Sequence, residues 1–423
     1  MSGAACALML ISDLPGLSLR ENSLDAHYPS YRRVPYGAPQ KVEAALCRRA
    51  FFSLGNEQVK YIHRTVAEFL AAKWLAARLQ SGLPLGRIQS LICVEGVPAP
   101  ELRGLYAWLA TLLPEHALAL IAADPYGVLV YGDAASMPPS LRKALLDALQ
   151  RLAQSDPWFR AGDWTDKPLG GLSGPEMVEA FRAILSDRNS GLHLRSVVLD
   201  AIEHGPEVPE LRDDLVAILA DSNCPDTERL SALDGLLKVI PGGAEAVVKV
   251  YRNHLVGNRT TARLRAHILA DLYPKHFPTV DVILVFNDFL VGSEGRTIGE
   301  LWRLSSAIPE KCLPEVITAL CTAINDEDIQ GGRGNKFEVA SAFERMLRRF
   351  FASSLPKKPR EIWTWLSALY RFEAHTVGAH RRTILRNSFG ITSLLYYQCS
   401  ISLLKRQVSM NPSDYLYMIS CQL

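Results

Sequence analysis

Apolar side chains recur at every third or fourth position over most of this chain, which is the period of amphipathic helices. Residues 102–113, 115–123 and 139–154 each show this period. Proline or an Asp-Pro pair separates the three segments, and both signals end helices. From about residue 85 onward the pattern therefore predicts a mainly α-helical protein.

Three of the predicted helices form a series. Each contains a leucine followed by apolar residues near i+3, i+4, i+7 and i+8, and these leucines (Leu194, Leu230 and Leu264) are 36 and 34 residues apart. Second helices, predicted over 209–220 and 244–255, lie between them. Paired helices with a period of about 35 residues favour an α-solenoid of HEAT-like helix pairs. An irregular helical bundle, in which ordinary amphipathic segments resemble one another, is the alternative.

A short strand followed by a long helix is predicted near the N-terminus. Residues 59–62 alternate apolar and polar side chains, and three of the four are β-branched or aromatic, which favours a strand. The following helix has one apolar stripe and ends at Gly82 and Pro84. Before the strand, an amphipathic helix over 39–54 and a turn at 55–57 are predicted. Helix, turn, strand and helix in this order indicate a winged-helix remnant.

The junction between that strand and that helix carries the candidate functional residues. Thr65 followed by Glu68 matches the capping box, in which each side chain accepts a hydrogen bond from the other residue's amide. His63 and Arg64 precede the first helical turn, where unpaired amides attract anions. A neutral imidazole there can donate a hydrogen bond to a nucleotide phosphate. Alternatively, His63 only packs or hydrogen-bonds within a domain boundary.

Composition and charge exclude several classes of protein. Apolar residues make up 48% of the chain and charged residues 21%, a globular composition. The formal net charge of +2 gives no broad footprint for nucleic acid or an anionic membrane. The eight cysteines are scattered, so the sequence predicts free thiols in a reducing cytosol and no metal site. The tract 105–131 is interrupted by proline and charge, and no signal peptide is recognisable, so a soluble, cytoplasmic protein is expected.

Motifs of known catalytic chemistry do not occur in the sequence, which contains no P-loop, nucleophile elbow or His-Glu-x-x-His. Asp163 and Asp166 form a carboxylate pair of the kind used in glycoside chemistry, although a solvated turn is the alternative. Residues 331–336 form either an anion nest or a surface loop. A basic cluster suits either phosphate contact or a solvated helix face, and it comprises Arg345, Arg348, Arg349, Lys357, Lys358 and Arg360. We therefore do not expect an enzyme.

The block from about residue 42 to 79 resembles the winged-helix end of bacterial NACHT-type STAND NTPases. The matching features are Ala50-Phe51-Phe52, the turn, the strand ending at His63-Arg64, and Glu68-Phe69-Leu70-Ala71-Ala72. In that family the winged-helix histidine contacts the β-phosphate of bound ADP. The resemblance implies this role for His63, with Arg64 as a second nucleotide contact and with Thr65 and Glu68 shaping the helix end.

The resemblance also implies a function. It indicates the C-terminal regulatory and sensing portion of a STAND signalling switch, a class often active in defence, with an NTPase module supplied in cis or in trans. The repeats would recognise a protein trigger, and neither a membrane nor nucleic acid is expected as a partner. ATP or ADP is implied for the intact family architecture, whereas this chain alone is expected to hold no cofactor. The alternative is a free-standing α-solenoid scaffold that binds proteins, with a purely structural His63.

Four domains are predicted on these grounds. They are a winged-helix-like end of an NTPase module at 1–80, a helical linker domain at 81–160, a HEAT-like α-solenoid at 161–355, and a C-terminal helical or poorly ordered segment at 356–423. The apolar opening of the chain and the weak periodicity of 387–423 favour a fragment of a longer architecture.

Overall fold

The computed structural model describes residues 1–162, 169–291, 299–324 and 336–376. The chain divides into two compact units, Met1–Gly243 and a second that begins at Ala244. The predicted domain limits near residues 80 and 160 therefore lie inside the first unit. The carboxylate pair Asp163 and Asp166, the loop 331–335 and the segment 387–423 lie outside the described residues.

The fold is mainly α, as predicted, and its helices pair as in an α-solenoid. The first unit contains α1 Ser2–Ile11, α2 Pro39–Leu46, α3 Arg64–Gln80, α4 Leu85–Ile92, α5 Arg103–Leu112, α6 Ala117–Ala123, α7 Pro125–Tyr131, α8 Pro139–Ser155, α9 Val178–Ser186, α10 Leu192–Glu203, α11 Arg212–Ala220 and α12 Asp226–Lys238. The following helices are α13 Gly243–Val250, α14 Ala262–Leu272, α15 Thr279–Val291, α16 Glu300–Ala307, α17 Leu313–Ile324, α18 Lys336–Ala352 and α19 Pro359–Thr376.

A small antiparallel sheet lies between α1 and α3 in the sequence. Its strands are β1 Leu17–Ser18, β2 Phe51–Gly55 and β3 Gln58–Tyr61, in the order β1-β3-β2. The predicted strand at 59–62 is thus confirmed with a shift of one residue. A separate two-stranded ribbon pairs β4 Cys93–Val94 with β5 Val97–Pro98.

The predicted helix over 39–54 is wrong in its second half, because α2 ends at Leu46 and β2 begins at Phe51. Phe51 is buried and lies opposite Tyr61 of β3, so strand pairing places this aromatic ring in the core. Positive φ angles at residues 55–57 close the predicted turn as a hairpin. Tertiary pairing therefore overrides the helical periodicity of this segment.

Helix α3 packs between α1 and α5, and its small residues allow the close approach. Ala67, Ala71 and Ala72 are fully buried. On the facing helix α1, a Cβ at Gly3 would lie only 2.7 Å from the Cβ of Trp74. The alanines of the family-like signature therefore have a packing role, since larger side chains would separate the three helices.

The repeat predicted from the three leucines is confirmed as a series of helices, because Leu194, Leu230 and Leu264 lie in α10, α12 and α14. In the first unit α10 packs on α12, and α12 also packs on α11. In the second unit α14, α16 and α18 lie side by side, while α15, α17 and α19 form the adjoining layer. Each unit therefore buries its apolar stripes between two layers of helices.

Three arginines at the starts of these repeating helices are buried, namely Arg195, Arg229 and Arg265. Arg195 pairs with Glu228 at 2.8 Å and also donates to the Leu185 carbonyl at the end of α9. Arg229 donates in the same way to the Leu219 carbonyl at the end of α11, at 3.1 Å. These guanidinium groups satisfy C-terminal helix carbonyls that would otherwise lack donors. The sequence shows their spacing of 34 and 36 residues, but only burial distinguishes them from surface arginines.

Candidate functional site

The junction between β3 and α3 positions the candidate residues. His63 has an extended backbone, with φ −130° and ψ 136°, and is the N-cap residue of α3. Its carbonyl accepts the first helical hydrogen bond from the Ala67 amide at 3.1 Å. The helix therefore begins at Arg64, two residues earlier than a cap at Thr65 would allow.

The predicted capping box of Thr65 and Glu68 is consequently wrong. Thr65 lies within the first turn of α3, and no side chain caps this helix end. The physical reason is the position of Glu68, which is buried and directed away from its own helix end toward α5. A Cβ at Gly104 would collide with the Glu68 carboxylate, so that carboxylate lies directly on the first turn of α5.

The Glu68 carboxylate is held there by two favourable effects. The unpaired amides and dipole at the start of α5 favour a negative charge. Arg64, one turn earlier on α3, donates from Nε to Glu68 Oε1 at 2.9 Å. The same guanidinium donates to the backbone carbonyl of Glu101, just before α5. Arg64 and Glu68 together therefore fasten the start of α3 to the start of α5.

A surface cleft of about 440 Å³ opens beside this connection. It is lined by Arg64, Thr65, Glu68, Pro100, Glu101, Gly104, Val130 and Tyr131. Three of the four residues predicted from the sequence thus line one cleft, and His63 is not among its lining residues. The Arg64 side chain is half exposed there.

The imidazole of His63 is instead exposed on the molecular surface. Ile62 before it and Val66 in the first turn of α3 are also exposed. His63 therefore belongs to a partly apolar surface at a helix N-terminus, where a docked partner can reach it. This placement differs from a histidine that packs inside a domain boundary.

One wall of the cleft is stabilised by residues that sequence reasoning missed. Arg103 pairs with Asp124 through two bonds of 2.7 Å, and its guanidinium lies 5.7 Å from the ring centroid of Tyr131. The hydrogen bonds that Arg103 donates to the Asp124 carboxylate raise the pKa of Arg103 above its ordinary value. Asp124 also accepts from the Gly127 amide at 2.9 Å and so caps α7. The pair Asp124-Pro125 both ends α6 and begins α7. From the sequence, the pair was recognised only as a helix-ending signal.

Two further groups have intramolecular partners. Asp200, Glu203 and His204 bring possible ligand atoms within 4.8 Å of one another, but Arg160 pairs with Asp200 and Lys238 pairs with Glu203. Both carboxylates are therefore already neutralised by cations.

The three arginines of the predicted basic cluster that lie on α18 are similarly engaged. Arg348 pairs with Glu344 at 2.6 Å, and Arg349 donates to the Ser305 carbonyl at 2.7 Å. Arg345 lies over the ring of Trp302, with 4.7 Å between its guanidinium carbon and the ring centroid. Arg345 and Arg349 therefore hold α18 against α16, and Arg348 pairs within α18, so these three arginines are accounted for without a phosphate ligand.

The fold and the cleft together define a mainly α protein with a small antiparallel sheet near its N-terminus. Comparison with protein-family models, with curated proteins and with solved structures finds no match to this chain. Within the described ranges, no helix combines the length and apolar character needed to cross a lipid bilayer.

Proposed function

We propose that this chain is the regulatory and sensor portion of a nucleotide-dependent STAND signalling switch. The supporting observation is the order of elements that leads to His63. Helix α1, strand β1, a 3-10 turn at Tyr31–Arg33, helix α2 and the hairpin β2–β3 follow one another, and β1 pairs with β3. A winged helix has this order of helices and strands and this sheet order, and α3 then begins directly beyond the hairpin.

In this proposal His63 is the contribution of the chain to a nucleotide site completed by another module. The imidazole is exposed beside the N-terminal amides of α3, a position that favours an anion. It donates to the β-phosphate of ADP held by an NTPase module in cis or in trans, and Arg64 is the second contact. The repeating helices bind the protein that triggers the switch. Hydrolysis is not assigned to this chain, since the P-loop motif is missing from its sequence.

The test is calorimetric titration of ADP into the full chain combined with a supplied P-loop NTPase module. The variant His63→Ala removes one hydrogen bond to a charged phosphate and should weaken ADP binding about tenfold. His27→Ala, which removes another exposed histidine of the first unit, is the matched control and should bind as the unsubstituted chain does. Equal affinity of the His63→Ala complex and the unsubstituted complex would refute this role.

The second candidate is a free-standing scaffold that binds proteins. It is favoured by Trp158, an exposed aromatic side chain that packs edge-on against His193 of α10 with 5.5 Å between ring centroids. Exposed tryptophans are common at the centres of protein interfaces. If this candidate is correct, the chain binds neither the NTPase module nor ADP in the same titration, and the His63→Ala substitution changes nothing.

A further inference from the structure

We propose that the free edge of β2 pairs with the same edge of a second copy of this chain. The two three-stranded sheets would then join into one continuous sheet of six strands around a two-fold axis. This inference goes beyond the proposed switch, because it assigns a partner to a different surface and needs no nucleotide.

The first argument is that this edge is unprotected. On the other side of the sheet, β1 is covered by a bridge between Ser18 and Ser30. Strand β2 has the sequence Phe51-Phe52-Ser53-Leu54-Gly55, without a charge or a proline. Edge strands that remain unpaired usually carry lysine, proline or another obstacle to pairing. The composition of β2 therefore fits a strand that acquires a neighbour.

The second argument is the direction of the backbone groups. The Ile62 amide donates to the Ala50 carbonyl at 3.0 Å, which fixes the alternation of hydrogen bonds between β2 and β3. Phe52 lies two residues after Ala50, so its backbone amide and carbonyl also point toward β3. Ser53 consequently directs its amide and its carbonyl toward the free edge. An antiparallel pair centred on Ser53 lets the two copies exchange both of these hydrogen bonds.

The third argument is the match between side chains across that axis. Centred on Ser53, the pairing places Phe52 of one copy opposite Leu54 of the other. These side chains are 42% and 43% exposed in the single chain, so both lose apolar surface to water when they meet. Each contact occurs twice, as the symmetry of a closed dimer requires.

Charge complementarity selects an antiparallel second copy as the occupant. The exposed Arg49 lies before the strand, and the exposed Glu57 lies beyond its other end. Antiparallel pairing about Ser53 places the end of one strand that carries Arg49 beside the hairpin turn of the other copy, which carries Glu57, whereas parallel pairing in register would place Arg49 beside Arg49. Glu57 already accepts from Arg20 of its own chain at 2.6 Å, and a carboxylate can accept from two guanidinium groups.

The experiment is sedimentation velocity of the full chain over a concentration series. The mass of the unsubstituted protein should rise from 46.8 kDa toward twice that value. Phe52→Lys, which places a charge on the exposed face of the edge, should weaken association at least about tenfold. Leu91→Lys on α4 is the matched control, since Leu91 is 63% exposed, and it should associate normally. A constant mass of 46.8 kDa, or normal association of Phe52→Lys, would overturn the proposal.

Charge reversal tests the orientation of the two strands. Arg49→Glu and Glu57→Arg should each weaken the dimer by roughly fivefold to tenfold, because each creates two like-charge contacts. Combining both substitutions in one chain restores opposite charges across the axis and should return the affinity close to its original value. A double variant that associates no better than either single variant would exclude the antiparallel arrangement.

Discussion

Glu68 shows how one buried side chain can decide the start of a helix. A glutamate three residues after a threonine has the spacing of a capping box, but the same spacing places both residues on one face of a helix that began earlier. The outcome depends on Gly104, 36 residues further on, which leaves space for the Glu68 carboxylate at the start of α5. Local sequence contains no signal for this choice.

The substitution Gly104→Ala tests that interpretation. The new methyl group would overlap the Glu68 carboxylate, so the carboxylate must leave the α5 amides or the helices must separate. We expect a loss of about 1–3 kcal/mol in the free energy of unfolding, measured with urea. A second substitution, Glu68→Ala, should reduce the additional loss caused by Gly104→Ala.

Gly86 in α4 provides the control for this experiment. A Cβ there would meet no atom within 4 Å, and its φ is not positive. Gly86→Ala should therefore stabilise the protein by about 0.4–1 kcal/mol, since alanine restricts the unfolded chain. If both substitutions destabilised the protein equally, the loss at Gly104 would reflect glycine replacement in general and not contact with Glu68.

At the scale of helices and strands, the predictions succeeded where the apolar periodicity of a segment decided its structure. They failed where pairing with another segment decided it. Residues 139–154 form α8 as expected, and its buried residues Leu145, Leu146 and Leu149 belong to the apolar stripe. Phe51 and Phe52 fit either a helix or a strand, and the hairpin partner decided between them. The cleft was not predictable, because Val130 and Tyr131 join Arg64 only through the packing of α7 on α5.

The contact between α14 and α16 contains a histidine that makes the stability of the protein depend on pH. His267 on α14 faces Arg303 of α16, whose Nη1 donates to His267 Nδ1 at 2.9 Å. Burial is the main cause that lowers the pKa of His267, and the positive charge of Arg303 acts in the same direction. Arg263 also lowers this pKa, while Glu300 and Asp271 act in the opposite direction.

The direction of the effect on stability follows from that lowered pKa. The unfolded chain binds a proton at His267 more readily than the folded protein does. The contribution of neutral His267 to the free energy of unfolding is therefore fully present above the ordinary pKa of about 6.5. It is lost as the pH falls below that value. We expect the urea midpoint to decrease between pH 7 and pH 5.5, and His267→Gln should reduce this decrease. His254→Gln, at an exposed histidine, should leave it unchanged; an unaltered pH dependence in His267→Gln would contradict the assignment.

At the scale of the whole molecule, each unit contains a buried arginine that binds both a carboxylate and a backbone carbonyl. In the first unit, Arg195 and Arg229 donate to carbonyls at the C-terminal ends of the preceding helices α9 and α11. Arg195 also pairs with Glu228. Arg265 in the second unit pairs with Asp288 and donates to the Asn258 carbonyl in the loop before its own helix. Sequence reasoning found the leucines beside these arginines because apolar periodicity is a local signal. It could not assign the arginines, since charge alone predicts a surface position.

Replacing either arginine with lysine should therefore destabilise the protein strongly. Lysine has one ammonium group in place of a planar fork, so it cannot reach both the carboxylate and the helix carbonyl. Arg195→Lys leaves Glu228 buried with an incomplete partner, and we expect a loss of about 2–4 kcal/mol in unfolding free energy. Arg265→Lys should also destabilise the protein, because it removes the fully buried guanidinium group that links Asp288 to the Asn258 carbonyl. Arg188→Lys, at an exposed pair with Asp221, should change stability little and is the control for the loss of a guanidinium group. Urea unfolding of the full chain measures all three, and equal stability of Arg195→Lys and Arg188→Lys would show that the buried arginines do not support the helix layers.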